Sequence, residues 1–185
     1  MQRTRTAILL ASLCALALGA SSGASARNPM VGGAAMYPTR NIVQNAVNSK
    51  DQTTLVAAVK AADLVDTLSS KGPFTVFAPT NAAFAKLPAG TVETLLKPEN
   101  KAALTNILTY HVVPGRINAG QIAAMAARNR GVATLKTVQG ENLRFMKQGA
   151  GWRITDAKGG MARITIANVM QSNGVIHVID TVLMP

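Results

Sequence analysis

The chain has 185 residues, a formal net charge of +11 at pH 7 and a composition that is 48 % hydrophobic but only 4 % aromatic. That length suits one domain with a sizeable core. The single cysteine, Cys14, excludes an internal disulfide, so stability has to come from packing.

The first 26 residues read as a signal peptide. Arg3 and Arg5 form a basic start, Ala7 to Ala20 is apolar, and Ala24-Ser25-Ala26 is a small-x-small cleavage site, with cleavage expected after Ala26. The two arginines are not adjacent, which argues for a Sec-type rather than a twin-arginine signal. Leu13 before Cys14 argues against lipid attachment, which wants a small residue there. Removing this segment leaves 159 residues (185 − 26) without cysteine and a charge of +9 (+11 − 2). The product is expected to be periplasmic or extracellular. No later stretch is long and apolar enough to span a membrane.

Residues 27–40, rich in small side chains (Gly32, Gly33, Ala34, Ala35), read as a flexible leader or an arm lying on the domain surface. Short helices are predicted over Asn41 to Val47, from Thr53 or Thr54 onward, and over Ala61 to Leu68. Lys71-Gly72-Pro73 breaks the pattern before a strand, Phe74 to Ala78. Pro79 ends that strand, and Thr80 or Asn81 caps a helix over Ala82 to Lys86. Thr91 is placed to cap Val92 to Leu96, and Pro98 suits the first turn of a helix over Glu99 to Leu108. Tyr110 to Val113 reads as a strand stopped by Pro114-Gly115, and Ala119 to Ala127 as a helix. Short strands follow at hairpin spacing: Val132 to Val138, Asn142 to Met146, Trp152 to Thr155 and Arg163 to Ala167. After the turn signal Asn173-Gly174, Val175 to Val182 is apolar on both faces, as in a strand buried on both sides. There is no internal repeat.

Three stretches resemble the signature segments of the fasciclin (FAS1) domain family. They are Phe74-Thr75-Val76-Phe77-Ala78-Pro79-Thr80-Asn81, the run Leu108 to Gly115 around Tyr110-His111, and Gly174-Val175-Ile176-His177-Val178-Ile179. The resemblance covers about Asn41 to Met184 and implies one FAS1 domain over 41–185, as in small secreted bacterial members. It implies an α+β fold, a wedge-shaped seven-stranded β-sandwich with several helices packed at one side. It also implies an adhesion or interaction module rather than an enzyme. In animal members integrin binding is attributed to the Tyr-His region and to an Asp-Ile pair. Tyr110 and His111 match the first, whereas Asn168-Val169 stands at the second and lacks the carboxylate that an integrin's metal site needs. That departure counts against integrin binding, and no Arg-Gly-Asp occurs.

Catalytic constellations are absent from the sequence outside the signal segment. Gly19-Ala20-Ser21-Ser22-Gly23 fits the Gly-x-Ser-x-Gly pattern but falls in the expected signal peptide. There is no phosphate-binding loop, dinucleotide fingerprint or His-x-x-x-His pair, so neither cofactor nor metal is expected. His111 and His177 are read as structural, bonded to buried loop groups near Thr80 or Asn81. The methionines, including Met125, Met146, Met161, Met170 and Met184, are read as core gap-fillers. Arg116 to Arg163 is the unusual stretch, with nine Lys/Arg against only Glu141 and Asp156, a net +7. It is read as a solvated surface or as an electrostatic surface for an anionic polymer such as acidic polysaccharide, lipopolysaccharide or DNA. Trp152 would stack on a sugar or base if exposed and fill the core if buried.

The sequence therefore points to an exported, non-enzymatic interaction module for an envelope or matrix partner, protein or polysaccharide. The expected partner-binding residues are Tyr110, His111, Asn168, Val169, Arg144, Lys147 and Arg153. The second reading is a periplasmic carrier holding a small ligand in an apolar groove between helices and sheet.

Overall fold

A computed structural model describes residues 28–185, and the expected signal peptide lies outside the described residues. The chain opens with a two-stranded hairpin, β1 (Met30–Val31) and β2 (Ala34–Ala35). Of the two expectations for residues 27–40, a flexible leader or an arm on the domain surface, the hairpin is an arm, and one anchored in the core. Val31 and Met36 are buried in the core, and buried Asn45 accepts from Tyr37 N (3.0 Å) and donates to Tyr37 O (2.8 Å).

Helices α1 (Ile42–Ala46), α2 (Thr53–Ala61) and α3 (Val65–Ser69) follow. The side chains of Asn41 and Gln44 close a reciprocal capping box on α1. Asp63, at φ +55°, separates α2 from α3, so the helix expected over Ala61 to Leu68 is interrupted. Strand β3 (Phe74–Pro79) leads into α4 (Asn81–Ala85), which Thr80 caps by accepting from Ala83 N. Beyond α5 (Thr91–Leu95), helix α6 (Lys101–Tyr110) runs further than expected. Tyr110 closes the helix, His111 is its C-cap, and the strand β4 (Val112–Pro114) is correspondingly shorter. Helix α7 (Ala119–Arg128), with a second capping box at Asn118 and Gln121, precedes β5 (Val132–Lys136), β6 (Asn142–Gln148), β7 (Gly151–Thr155), β8 (Met161–Gln171) and β9 (Gly174–Ile179).

The seven strands β3 to β9 join in the order β4-β3-β9-β8-β7-β6-β5, with β3 and β9 parallel and the other neighbours antiparallel. Strand β8 bends the sheet. Its register with β9 slips between Ile164 and Ile166 and again between Ile166 and Val169, and Asn168 sits at φ +60°. The two halves consequently face each other. The Phe77 ring on β3 lies 5.1 Å from that of Phe145 on β6, and Val138 N donates to Val112 O (2.7 Å), linking the two edges. This is the expected α+β wedge of seven strands with helices to one side.

Two apolar cores result. One lies between the helices and β3/β9 and includes Ile42, Leu55, Val76, Leu108 and Ile176. The other fills the fold of the sheet and includes Phe77, Tyr110, Ile122, Phe145, Trp152 and Ile154. All six residues of β9 are buried, as its two apolar faces implied.

Candidate functional site

Tyr110 and His111 do not reach the surface: they are 0 % and 2 % exposed. The reason is the extra length of α6, which delivers both into the interior. There they fasten other segments. The Tyr110 hydroxyl accepts from Ala157 N (2.8 Å) in the β7–β8 turn. His111 donates from Nδ1 to Ile107 O (2.8 Å) and accepts at Nε2 from Leu183 N (3.0 Å). Asp156, also buried, accepts from Met184 N (3.1 Å) and Gly160 N (2.6 Å), so the carboxy-terminal segment is pinned twice. His177 donates to Ile117 O (2.9 Å), accepts from Asn168 N (3.4 Å) and stacks on Phe77. Neither histidine turns to Thr80 or Asn81, because those side chains cap α4 and bridge to Thr54 N and Lys50 O.

These environments set the protonation states. Burial pushes His111 down to about 4, against the opposing pull of Ile107 O and Asp156. Burial likewise lowers His177, against its bond to Ile117 O. Both rings are neutral at pH 7, and each nitrogen is already committed to the backbone.

Of the pair Asn168-Val169, Val169 is completely buried. Asn168 is exposed, yet its Oδ1 accepts from Ala119 N (2.8 Å), tying the bend in β8 to the start of α7. Tyr110, His111 and Val169 are therefore not contact residues, and Asn168 is first a brace.

The basic stretch has a more definite geometry. Along β5 to β8 alternate residues face inward: Ala133, Leu135, Leu143, Phe145, Trp152, Ile154 and Ala162. The outer face carries Lys136, Arg144, Arg153 and Arg163, in register through Lys136↔Asn142, Arg144↔Thr155, Met146↔Arg153 and Arg153↔Arg163. Arg144 and Arg153 thus share a face. Lys147 does not, since it pairs with Trp152 on the opposite parity near the hairpin tip. Trp152 is 9 % exposed, packed into the second core with only an edge reaching the surface beside Gly151 and Arg163. Met146 and Met161, expected as core fillers, are exposed on the outer face among the cations. Lys136 and Arg163 belong to the basic stretch singled out from sequence without being named as contacts, and the neighbouring Gln148, Thr165 and Asp180 carried no signal of their own. Strand alternation assigns a face, but only register shows which residues lie side by side.

An apolar groove also exists between α1–α3, α6 and strands β3 and β4, lined by Ile42, Val59, Leu68, Val76, Leu108 and Val112, with Lys60 the sole charge. Its volume is about 40 Å³, room for a few waters and too little for a drug-sized ligand. Among the described residues no three His, Cys, Asp or Glu side chains cluster as a metal site, and no helix is long and apolar enough to cross a membrane.

Comparison with known proteins agrees with this architecture. The Fasciclin domain family model matches residues 50–185. Protein sll1483 of Synechocystis sp. is 45 % identical, the alignment spanning 100 % of this chain and 99 % of that protein. The cell surface glycolipoprotein MPB83 of Mycobacterium bovis is 36 % identical over 87 % of this chain and 68 % of its own length. The solved FAS1 domain pair of the insect cell adhesion molecule fasciclin I superposes with a TM-score of 0.70 at 18 % identity, over 79 % of this chain and 51 % of that two-domain chain.

Proposed function

Because the chain belongs to the Fasciclin domain family, we propose that it is an exported, non-enzymatic interaction module that holds an anionic envelope or matrix partner on the outer face of β5–β8. The observation that carries this is the co-facial set Lys136, Arg144, Arg153 and Arg163, which has no acidic residue at its register positions within β5–β8, the nearest carboxylate being Asp180 beside Arg163 on the β9 side. Such a face adds long-range attraction for a polyanion. The surface placement of a glycolipoprotein relative and the adhesion role of fasciclin I support an interaction role outside the cytoplasm. The commitment of both histidines to backbone partners leaves neither of them free to act as a general base.

The test is retention of the exported protein on immobilised acidic polysaccharide, lipopolysaccharide and DNA. Retention is expected at low salt and is expected to disappear near ~1 M, where screening acts within about 3 Å. Substituting all four outer-face cations with Gln should abolish it. Salt-independent retention, or none on any of these polymers, sinks the reading. The apolar lining of the helix–sheet groove favours a second reading, a small-ligand carrier. It requires α1–α3 to open well beyond the present volume, and an apolar ligand co-purifying in native mass spectrometry would favour it.

A further inference from the structure

Arg153 and Arg163 stand directly opposite each other on β7 and β8. Like charges in that relation destabilise a sheet. Among the described residues neither guanidinium has a carboxylate partner: the ion pairs join Lys86 to Asp180 and Lys101 to Asp63. Arg153 reaches only the Met146 sulfur, from Nη2 at 3.7 Å, and its Nε is buried with no hydrogen-bond partner. Two adjacent guanidinium groups, neither paired with a carboxylate, suit an oxyanion bound at their terminal nitrogens.

The surface beside the pair is notched. Gly151 occupies an outward position without a side chain, and around it Gln148, Arg163, Thr165 and Asp180 border a depression of about 280 Å³. A second, of about 230 Å³, adjoins it and reaches Arg153 and Met161, sharing Gln148, Arg163 and Asp180 with the first. Asp180 is itself incompletely used. Its Oδ1 accepts from Arg163 N (2.8 Å) and Thr181 Oγ1 (3.0 Å), while Oδ2 has only Lys86 Nζ at 4.0 Å.

These features select among anions. The Asp180 carboxylate at the edge of the trough accepts from a sugar hydroxyl, a donor that the phosphodiester backbone of DNA does not carry within its chain. Gln148 and Thr165 likewise suit hydroxyls. Phe145 is out of reach, and Trp152, which also lines the first depression, is only 9 % exposed, so no ring face is open for a base to stack on. We propose that this trough binds a uronate unit of an acidic polysaccharide. The sugar carboxylate bridges Arg153 and Arg163, and its ring hydroxyls meet Gln148, Thr165 and Asp180. The proposal rests on the reading of the outer face as the interaction surface and adds to it a site and a ligand class.

Calorimetric titration of the exported protein with oligogalacturonate tests it, with methyl-esterified oligogalacturonate and a short DNA duplex as comparison probes and thermal melts to verify folding. R153Q and R163Q are each expected to weaken oligogalacturonate binding at least tenfold. The K136Q/R144Q double variant, which removes two charges from the same face outside the trough against one in each single variant, should still weaken it less than threefold. G151V fills the notch without changing charge. A side chain is sterically admissible there, since a Cβ would lie 3.9 Å from Gln148 O and Ile164 O, and G151V should also lose affinity. Esterified ligand should not bind. Equal losses in K136Q/R144Q and the Arg153/Arg163 variants would overturn the site while leaving the basic-face reading intact. So would tighter binding of DNA than of oligogalacturonate through the same arginines. No binding of any anionic probe by the unsubstituted protein would overturn both.

Discussion

His111 is neutral in the fold because α6 carries it away from water and both ring nitrogens meet backbone groups. Protonation would turn Nε2 from an acceptor for Leu183 N into a donor and place an uncompensated charge in the core. The unfolded chain titrates this ring near its ordinary 6.5, whereas the folded chain holds it at about 4. Between those values the unfolded state binds more protons, so stability falls as pH drops through the window. Above 6.5 the ring contributes no pH dependence, and below about 4 the loss is complete, on the order of 3 kcal/mol. His177, also lowered by burial, acts in the same direction. Urea midpoints measured from pH 7 to 4 should decline, and H111Q should decline less steeply from a lower starting stability. Equal slopes for the two proteins would refute this account of His111. The same geometry explains a signature Tyr-His pair that serves the fold instead of meeting a partner.

Among the elements, the arm of β1 and β2 is the one whose role composition conceals. Gly32, Gly33, Ala34 and Ala35 read as a mobile leader, but Met36 is wholly buried and Asn45 clasps both backbone groups of Tyr37 from eight residues away. That clasp is a tertiary contact with no local signal. Met36→Ala should cost about 2–4 kcal/mol, from the lost transfer energy and the cavity left behind, and lower the thermal midpoint by several degrees. An unchanged melt would mean that the arm is dispensable. Strands β5 to β9 were legible because alternation and glycine punctuation are local, and β9 declared its two-sided burial through apolar residues on both faces. The α6–β4 boundary was not. Tyr110-His111-Val112-Val113 has strand propensity, yet burying Tyr110 in the second core and its bond to Ala157 N keep it helical. The outer face was legible in part. Parity places Arg144 and Arg153 together and sets Lys147 apart, while the opposition of Arg153 and Arg163 needs the register of β7 with β8, and the exposure of Met146 and Met161 needs the bend that leaves that face uncovered.

At the scale of the whole molecule, the two cores share β3 and β9. Val76, Ala78, Ile176 and Val178 point into the helical core, while Phe77 and Ile179 point into the folded sheet. Consecutive residues of the same strands therefore belong to different cores, and neither core can lose its strands without opening the other. The carboxy-terminal segment repeats this coupling, with Val182 in the first core and Leu183, held by His111, in the second. Such interleaving predicts one cooperative unfolding transition in place of two. Trp152, the only tryptophan, reports on the folded sheet alone, whereas far-UV circular dichroism is weighted toward the helices, most of which pack on the other core. Their urea midpoints should coincide, and Phe145→Leu, placed in the second core, should shift both equally. Separate midpoints, or a shift confined to the Trp152 signal, would show that the cores melt independently. Coupling of this kind also keeps the β5–β8 face rigid. On the proposed reading, a polymer docking there would meet strand backbones already held by the inner packing, and only the long cationic side chains would lose freedom on binding.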